Sequence, residues 1–136
     1  MLPKPTGGRR PLLSTGGSQQ SPDWVARNGD GWMTYPRNLA AQSKAVADYR
    51  RRICEVGAQH KPVMQSLYID LVSDPDAGPA PIHLGVRSGI RFLQDHLRDL
   101  RALGINHVAL NLRFNEAEIE TTLARLSDEL LPEFND

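Results

Sequence analysis

Four strand-like segments, each followed by a helix-like segment, constrain the fold of this chain more than any other feature of its sequence. The first pair is a short apolar run at residues 11–15 (PLLST) and a helix that begins at Ser21 and runs to about residue 28. Ser21 provides a capping hydroxyl, and it is followed by a proline and an acid in the first turn. Three more pairs follow, with strands predicted at residues 31–35, 63–72 and 108–112 and helices at residues 39–56, 88–103 and 116–131.

The later helices are recognised by apolar side chains that recur every three or four residues, which places them on one helix face. Gly57 and Gly104 mark the ends of the second and third helices, and Pro132 marks the end of the fourth. Each helix is therefore expected to cover a sheet. The clearest apolar faces consist of Ile90, Leu93, Leu97 and Leu100 in the third helix and Ile119, Leu123, Leu126 and Leu130 in the fourth.

Strands that alternate with helices predict an α/β fold with a parallel sheet, and two architectures fit this pattern. An open doubly wound sheet can be complete with four or five strands, and the length of 136 residues favours it. A (β/α)8 barrel needs eight strands and about 250 residues, so this chain would form one half of it, (βα)4. The Pro-Lys-Pro segment before the first strand favours the half barrel. In a half barrel the first and last strands lack a neighbour, which favours association with another chain.

Composition excludes several classes of protein. Lys and Arg together number 16, as do Asp and Glu, so no basic surface for nucleic acid or an anionic membrane is expected. The single cysteine, Cys54, supports neither a disulfide framework nor a zinc site, and a cytoplasmic location fits best. The sequence shows neither a signal peptide nor an apolar run of membrane-spanning length. We expect residues 1–10 to be a linker or a loop that enters the fold, and residues 11–136 to form one soluble domain.

The turn after the first strand is unusually bare of side chains. Gly16 and Gly17 are followed by Ser18, Gln20 and Ser21. Glycine lets a backbone approach a ligand closely, and free amides near a helix start favour an anion. The same residues also suit an ordinary tight turn and a helix cap. Neither Gly-x-x-x-x-Gly-Lys-Ser/Thr nor Gly-x-Gly-x-x-Gly occurs, so the sequence alone leaves both interpretations open.

An ordered series of motifs resembles the C-terminal half of the luciferase-like monooxygenases, the flavin-dependent family that includes bacterial luciferase. The series covers residues 7–134 and consists of GRRPLLSTGGSQQSPDWVARNGDGWMTYPR, KPVMQSLYIDL, PIHLGVRSG, LGINHVALNLRF and LPEF. The resemblance implies that the chain is the C-terminal half, (βα)4, of a TIM (β/α)8 barrel, with its four strands as strands five to eight. It also implies that reduced FMN binds at the C-terminal ends of the strands.

Further expectations depend on the same resemblance. The turn after strand five would contact the FMN phosphate, chiefly through Gly17 and Ser18, with Gly16, Gln20 and Ser21 as weaker candidates. A separate nicotinamide-dependent reductase would supply the reduced flavin, which reacts with oxygen to oxidise an organic substrate. The loops of strands one to four are missing from the sequence, so activity is expected to require an N-terminal half.

Other polar residues near the predicted strand ends are weaker candidates. Trp32, Tyr35 and Arg37 would line the flavin or substrate pocket, or else Trp32 packs in the core and Arg37 forms an ion pair. A second glycine-bearing turn at residues 83–89 (HLGVRSG) is the runner-up phosphate site, or else a structural turn. Inward-facing polar side chains can fill a barrel, and those expected on strand seven are Ser66, Tyr68 and Asp70.

No catalytic residue can be assigned. His107 and Asn111 lie at or within the last strand, where a histidine is more often structural than a base. His60 and His96 are expected to be exposed, and the four histidines show no metal-ligand spacing. Two alternatives to an FMN-dependent enzyme therefore stay open. One is a non-catalytic half-barrel module that forms a homodimer or docks onto a separate N-terminal half, and the other is an independent binder of a phosphate-bearing ligand.

Overall fold

The computed structural model describes residues 6–17 and 19–135. Within these ranges, residues 6–10 form turns and bends, while the remainder of the expected linker, residues 1–5, lies outside the described residues. The described strands are β1 (Leu13–Thr15), β2 (Gly31–Thr34), β3 (Val63–Leu71), β4 (Ala80–Ile82), β5 (Gly85–Ser88) and β6 (His107–Asn111). The described α-helices are α1 (Pro22–Asn28), α2 (Leu39–Glu55), α3 (Ile90–Leu103), α4 (Ile119–Arg125) and α5 (Leu131–Phe134), with a π-helical turn at Leu126–Leu130.

Four of these strands form a parallel sheet in the order in which they occur along the chain. β1 pairs with β2, β2 with β3, and β3 with β6. β5 runs parallel to the C-terminal end of β3, and β4 completes an antiparallel hairpin with β5. These four strands are the ones that the sequence predicts, and each begins and ends within two residues of its expected bounds.

The strand order decides between the two architectures. In a doubly wound sheet the order reverses, and the helices then cover both faces. Here the order does not reverse, and α1, α2, α3 and the π-helical turn contact one another in succession along one face. The fold is therefore an α/β half barrel, in which four parallel strands are covered by helices on their outer face.

Strand β3 shows how the two faces of the sheet differ. On the outer face, Val63, Leu67 and Ile69 are at most 2% exposed and belong to the apolar core beneath the helices. On the inner face, Met64 and Tyr68 remain partly exposed. Burial of the outer row removes apolar surface from water, so this layer carries most of the stability.

The β4–β5 hairpin was not predicted, because the sequence there contains three prolines and two glycines between residues 75 and 85. Gly85 explains how the hairpin can form. A Cβ at this position would lie 1.8 Å from the carbonyl oxygen of Tyr68, so only glycine allows β5 to pair so closely with β3. The segment HLGVRSG is therefore a hairpin turn and a strand rather than a bare phosphate-binding turn.

The end of the last helix also differs from the prediction. Pro132 does not terminate it; instead, α4 passes into the π-helical turn, and Pro132 then lies in the first turn of α5. The amide of Leu131 donates to the carbonyl of Leu126, five residues earlier. Proline is tolerated in the first turn of a helix, so the chain continues in a helical path.

No helix among the described residues combines the length and the apolar character that crossing a membrane requires.

Candidate functional site

A cavity of about 240 Å³ lies beside the turn that follows β1, between α1 and α2. It brings together three of the five residues that the sequence nominates for cofactor binding, namely Gly16, Gly17 and Gln20. The other lining residues are Pro22, Val25, Trp32, Arg37, Ala45, Asp48, Tyr49 and Arg52.

The two glycines of the turn have different structural roles. Gly16 has a φ of 54°, its amide donates to the carbonyl of Met33 at 2.7 Å, and an added Cβ would lie 2.9 Å from the ring of Tyr35. Gly17 has no such constraint, since the atom nearest to an added Cβ is the carbonyl oxygen of Gln20 at 3.8 Å. The left-handed φ at position 16 therefore favours glycine, whereas Gly17 leaves this part of the cavity wall without a side chain.

Ser21, a fourth nominated residue, does not line the cavity. Ser21 is the N-cap of α1, where its Oγ accepts a hydrogen bond of 3.2 Å from the amide of Trp24. Its capping role is the one that the residue pattern alone suggested. Ser18 lies outside the described residues.

Arg37 supplies positive charge at the cavity. Its Nη1 donates to Thr34 Oγ1 at 2.5 Å and to Gln42 Oε1 at 2.8 Å, and Gln42 Nε2 in turn donates to Gln65 Oε1 at 2.6 Å. Thr34, Gln42 and Gln65 are each at most 1% exposed, so a buried polar network holds the guanidinium in place. No carboxylate pairs with Arg37 among the described residues, so the ion pair considered from the sequence is not observed there.

An aromatic pair forms another wall of the cavity. The ring centroids of Trp32 and Tyr49 are 5.1 Å apart, and the guanidinium carbon of Arg37 lies 6.0 Å from the Trp32 ring centroid. Trp32 Nε1 donates to the carbonyl of Gly16 at 2.8 Å, which ties this wall to the glycine turn. Trp32 thus packs against the core as expected, although it also lines the cavity.

The Tyr49 hydroxyl is a buried polar group without a hydrogen-bond partner among the described residues. Tyr49 is 4% exposed, and burial raises the pKa of its hydroxyl, so the group stays protonated and can donate. A buried hydroxyl without a partner is costly, which makes it a candidate to hydrogen-bond a ligand or a water in the cavity. Tyr49 carries no sequence signal of a binding role beyond its position on the apolar face of α2.

The other charged residues of the cavity neutralise one another. Arg52 pairs with Asp23 at 2.6 Å and with Asp48 at 2.8 Å, and Asp48 also pairs with Arg51. Hydrogen bonds from Arg52 and Arg51 hold the pKa of Asp48 below its usual value. Of the arginines that line the cavity, Arg37 is therefore the one whose charge is not matched by a described carboxylate.

The polar residues of β3 that face the inner side of the sheet do not line this cavity. Asp70 is 2% exposed and accepts hydrogen bonds from Arg87 Nε at 2.6 Å and from the amide of Glu116 at 3.0 Å. It thus forms hydrogen bonds with both an arginine and a backbone amide. Ser66 and Tyr68 lie on the same inner face of β3 and are partly exposed.

The histidines do not converge on the cavity. His107 is exposed at the start of β6, and Asn111 at its end accepts a hydrogen bond from the amide of Arg113 at 2.9 Å. His60 is exposed as predicted, but His96 is half-buried and stacks on Phe92, and burial lowers its pKa.

Comparisons with known proteins support the fold. No protein-family model and no curated protein matches the chain. Among solved structures it resembles an F420-dependent secondary alcohol dehydrogenase in complex with an F420-acetone adduct, with a TM-score of 0.73 and 13% sequence identity. The match covers 96% of this chain and 50% of the dehydrogenase, so the chain spans half the length of the structure that it matches. At this identity the likeness concerns the fold alone.

Proposed function

We propose that this chain forms the phosphate-binding part of a flavin-type cofactor site in an oxidoreductase of the luciferase-like family. The proposed cofactor is reduced FMN, supplied by a separate flavin reductase, and the proposed reaction is a monooxygenation. When bound, reduced FMN supplies the electrons that activate oxygen. A cytoplasmic location is in keeping with the exposed, unpaired Cys54. The observation that carries the proposal is the cavity beside Gly16 and Gly17 with Arg37 on its wall.

The residues of the cavity fit an anionic group. Arg37 brings a charge that no described carboxylate neutralises, and its guanidinium is fixed by buried side chains before any ligand arrives. A donor that is already positioned loses less entropy on binding, so it contributes more affinity. Gly17 lets an anion approach the backbone, and the Tyr49 hydroxyl offers a neutral hydrogen bond within the same cavity.

The test is to compare FMN with riboflavin, which has the same ring system but no phosphate. We expect Arg37→Ala to weaken FMN binding roughly tenfold to a hundredfold, the usual effect of one charge-assisted hydrogen bond, and to leave riboflavin binding unchanged. Arg27→Ala is the matched control, because it removes the same charge from an exposed position of α1 that does not line the cavity. Binding is measured by quenching of flavin fluorescence.

Two results would overturn this proposal. The first is an equal loss of FMN and riboflavin affinity in Arg37→Ala, since the arginine would then not act on the phosphate. The second is the absence of flavin binding by the unaltered chain. A parallel titration with F420, the cofactor named for the structural neighbour, decides between FMN and a deazaflavin.

A second candidate function is that of an assembly module, and the open inner face of the sheet favours it. Among the described strands, β1 pairs on one side with β2 alone and β6 with β3 alone, so both carry an edge. A second (βα)4 unit, in a homodimer or as a separate N-terminal half, would cover the inner face and pair with these edges. Sedimentation together with a flavin absorbance spectrum distinguishes the candidates. A flavin-free dimer supports the module, a flavin-free monomer supports an independent phosphate-ligand binder, and activity restored by an N-terminal half supports the enzyme.

A further inference from the structure

Exposed apolar side chains are concentrated at the two ends of the sheet. Of the nine large apolar side chains that remain exposed among the described residues, six belong to or flank the first or last βα unit. They are Leu12, Leu13 and Trp24 at one end and Ile119, Leu123 and Leu131 at the other. Within the described residues α2 and α3, which have a helical neighbour on either side, carry none. Apolar surface is therefore exposed where the row of helices stops.

The apolar face of the last helical segment is only half covered. The sequence places Ile119, Leu123, Leu126 and Leu130 on one helix face. Only the last two are buried, and the π-helical turn that holds them contacts α3. A π-helical turn contains one residue more than an α-turn, so Leu131 returns to the side of Ile119 and Leu123. These three exposed side chains are called the α4 stripe below.

The two ends of the sheet differ in charge. Residues 104–135, at the β6–α4 end, include six acidic and two basic side chains, whereas residues 6–30, at the β1–α1 end, include three basic and two acidic ones. Glu120 and Asp128 are exposed and pair with no described cation. Two α4 stripes packed against each other would bring these acids together, and like charges at an interface are costly. The weakly basic β1–α1 end is therefore the better complement of the α4 stripe.

We infer that the α4 stripe binds the β1–α1 end of a second copy of this chain, so that two copies associate head to tail. This inference rests on the second candidate function and names its partner. In one chain α1 contacts α2, α2 contacts α3, and α3 contacts the π-helical turn. A contact between α4 of one copy and α1 of the next continues this row, and it brings the free edge of β6 beside the free edge of β1.

The number of strands explains why the association stops at two copies. Each copy contributes four parallel strands in sequence order, and eight parallel strands close a barrel. A head-to-tail contact that closes after two copies is repeated by a two-fold axis, so the dimer contains two identical contacts. Closure leaves neither sheet edge unpaired, which removes the tendency of open edges to recruit further chains.

Trp24 is the expected anchor at the β1–α1 end. Its side chain is 43% exposed on α1, beside the exposed Leu12 and Leu13. A tryptophan side chain has a large apolar surface, and tryptophan is enriched among the residues that contribute most to binding between proteins. We therefore expect Trp24 of one copy to contact the α4 stripe of the other.

Sedimentation equilibrium over a range of protein concentrations tests the inference. We expect the unaltered chain to form dimers. Trp24→Ser and Leu123→Ser should each raise the dimer dissociation constant about a hundredfold, because the loss of buried apolar surface weakens each of the two contacts about tenfold. Leu84→Ser is the matched control, since it removes an exposed leucine from the β4–β5 turn, away from both ends, and leaves the constant unchanged. Far-UV circular dichroism verifies that each variant is folded.

A mixture of the two variants shows which surfaces meet. In a head-to-tail dimer of Trp24→Ser with Leu123→Ser, one contact carries both substitutions and the other carries none. The mixture should therefore associate more tightly than either variant alone, because two substitutions within one contact are not additive. Weakening by Leu123→Ser but not by Trp24→Ser would indicate a contact between two α4 stripes and overturns the inference.

Two other results also overturn it. A dimer that neither substitution weakens retains the assembly module but excludes this contact. An unaltered chain that stays monomeric leaves both ends to a different (βα)4 unit. Because the measurement involves no flavin, failure here leaves the effect of Arg37→Ala on FMN binding intact, so the two proposals fail independently.

Discussion

Replacing the two glycines of the turn one at a time separates a backbone requirement from a ligand requirement. Gly16→Ala places a side chain at a φ of 54°, in the left-handed region, with its Cβ 2.9 Å from the Tyr35 ring. Gly17→Ala places a methyl group in ordinary van der Waals contact, 3.8 Å from the carbonyl oxygen of Gln20, at a φ that is not left-handed. We expect the first variant to lose stability and the second to lose affinity for the phosphate of FMN.

The expected difference in stability comes from one free-energy cost that only Gly16→Ala carries. Both variants reduce the conformational freedom of the unfolded chain by the same amount, ~0.4–1 kcal/mol, so this gain is common to both. Gly16→Ala alone adds the cost of a left-handed L-residue, ~1–2 kcal/mol. Tyr35 is 50% exposed, so its ring can turn away and adds little. The free energy of unfolding of Gly16→Ala should therefore lie ~1–2 kcal/mol below that of Gly17→Ala.

Urea denaturation measures the first difference, and titration with FMN measures the second. In the expected result, Gly17→Ala unfolds at a urea concentration equal to or above that of the parent chain but binds FMN more weakly. Equal stabilities for the two variants would refute the backbone assignment of Gly16. Unchanged FMN affinity in Gly17→Ala would refute the close approach of a phosphate to this turn.

Three further predictions concern the rest of the fold. Gly85→Ala should cost ~2–4 kcal/mol and loosen the β4–β5 hairpin, as measured by urea denaturation and amide hydrogen exchange, because its Cβ would overlap the Tyr68 carbonyl. Leu67→Ala should lose ~2–5 kcal/mol whereas its neighbour Ser66→Ala changes stability by under about 0.5 kcal/mol, since only Leu67 is in the core; similar losses would contradict the layer assignment. Burial holds the pKa of folded His96 below the ordinary 6.5, so the unfolded chain takes up a proton first, and stability is lost as pH falls from about 6.5 through the lowered value. His96→Phe should reduce this loss in urea titrations between pH 7 and 5, and an unchanged pH profile would contradict the assignment.

The sequence predicted the main layers of the fold because their signals are local. The apolar rows of α3 and β3 repeat at helical and strand spacing, and Gly104 and Ser21 lie at helix ends as expected. The hairpin at residues 80–88 escaped prediction because its formation depends on a contact between Gly85 and a strand that is distant in sequence. The strand propensity of the local residues does not reveal that contact, and prolines usually argue against a strand.

The candidate site was predictable only in part. Gly16, Gly17 and Gln20 belong to one continuous motif, so their proximity follows from the chain itself. Tyr49 reaches the same cavity from the opposite side through the packing of α2, and as a member of an apolar helical row it looks like an ordinary core residue.

Arg50 and Arg37 lie at opposite ends of the sheet, and their hydrogen bonds differ. Arg50 donates to the carbonyl of Lys61, to that of Gly104 at 3.1 Å and to Asn106 Oδ1 at 2.8 Å, so it links α2 to loops at the N-terminal ends of the strands. Arg37, at the C-terminal end, makes its described hydrogen bonds through Nη1, which leaves Nε and Nη2 without described partners. In (β/α)8 barrels the N-terminal face serves stability and the C-terminal face serves chemistry, and the free donors of Arg37 follow that division.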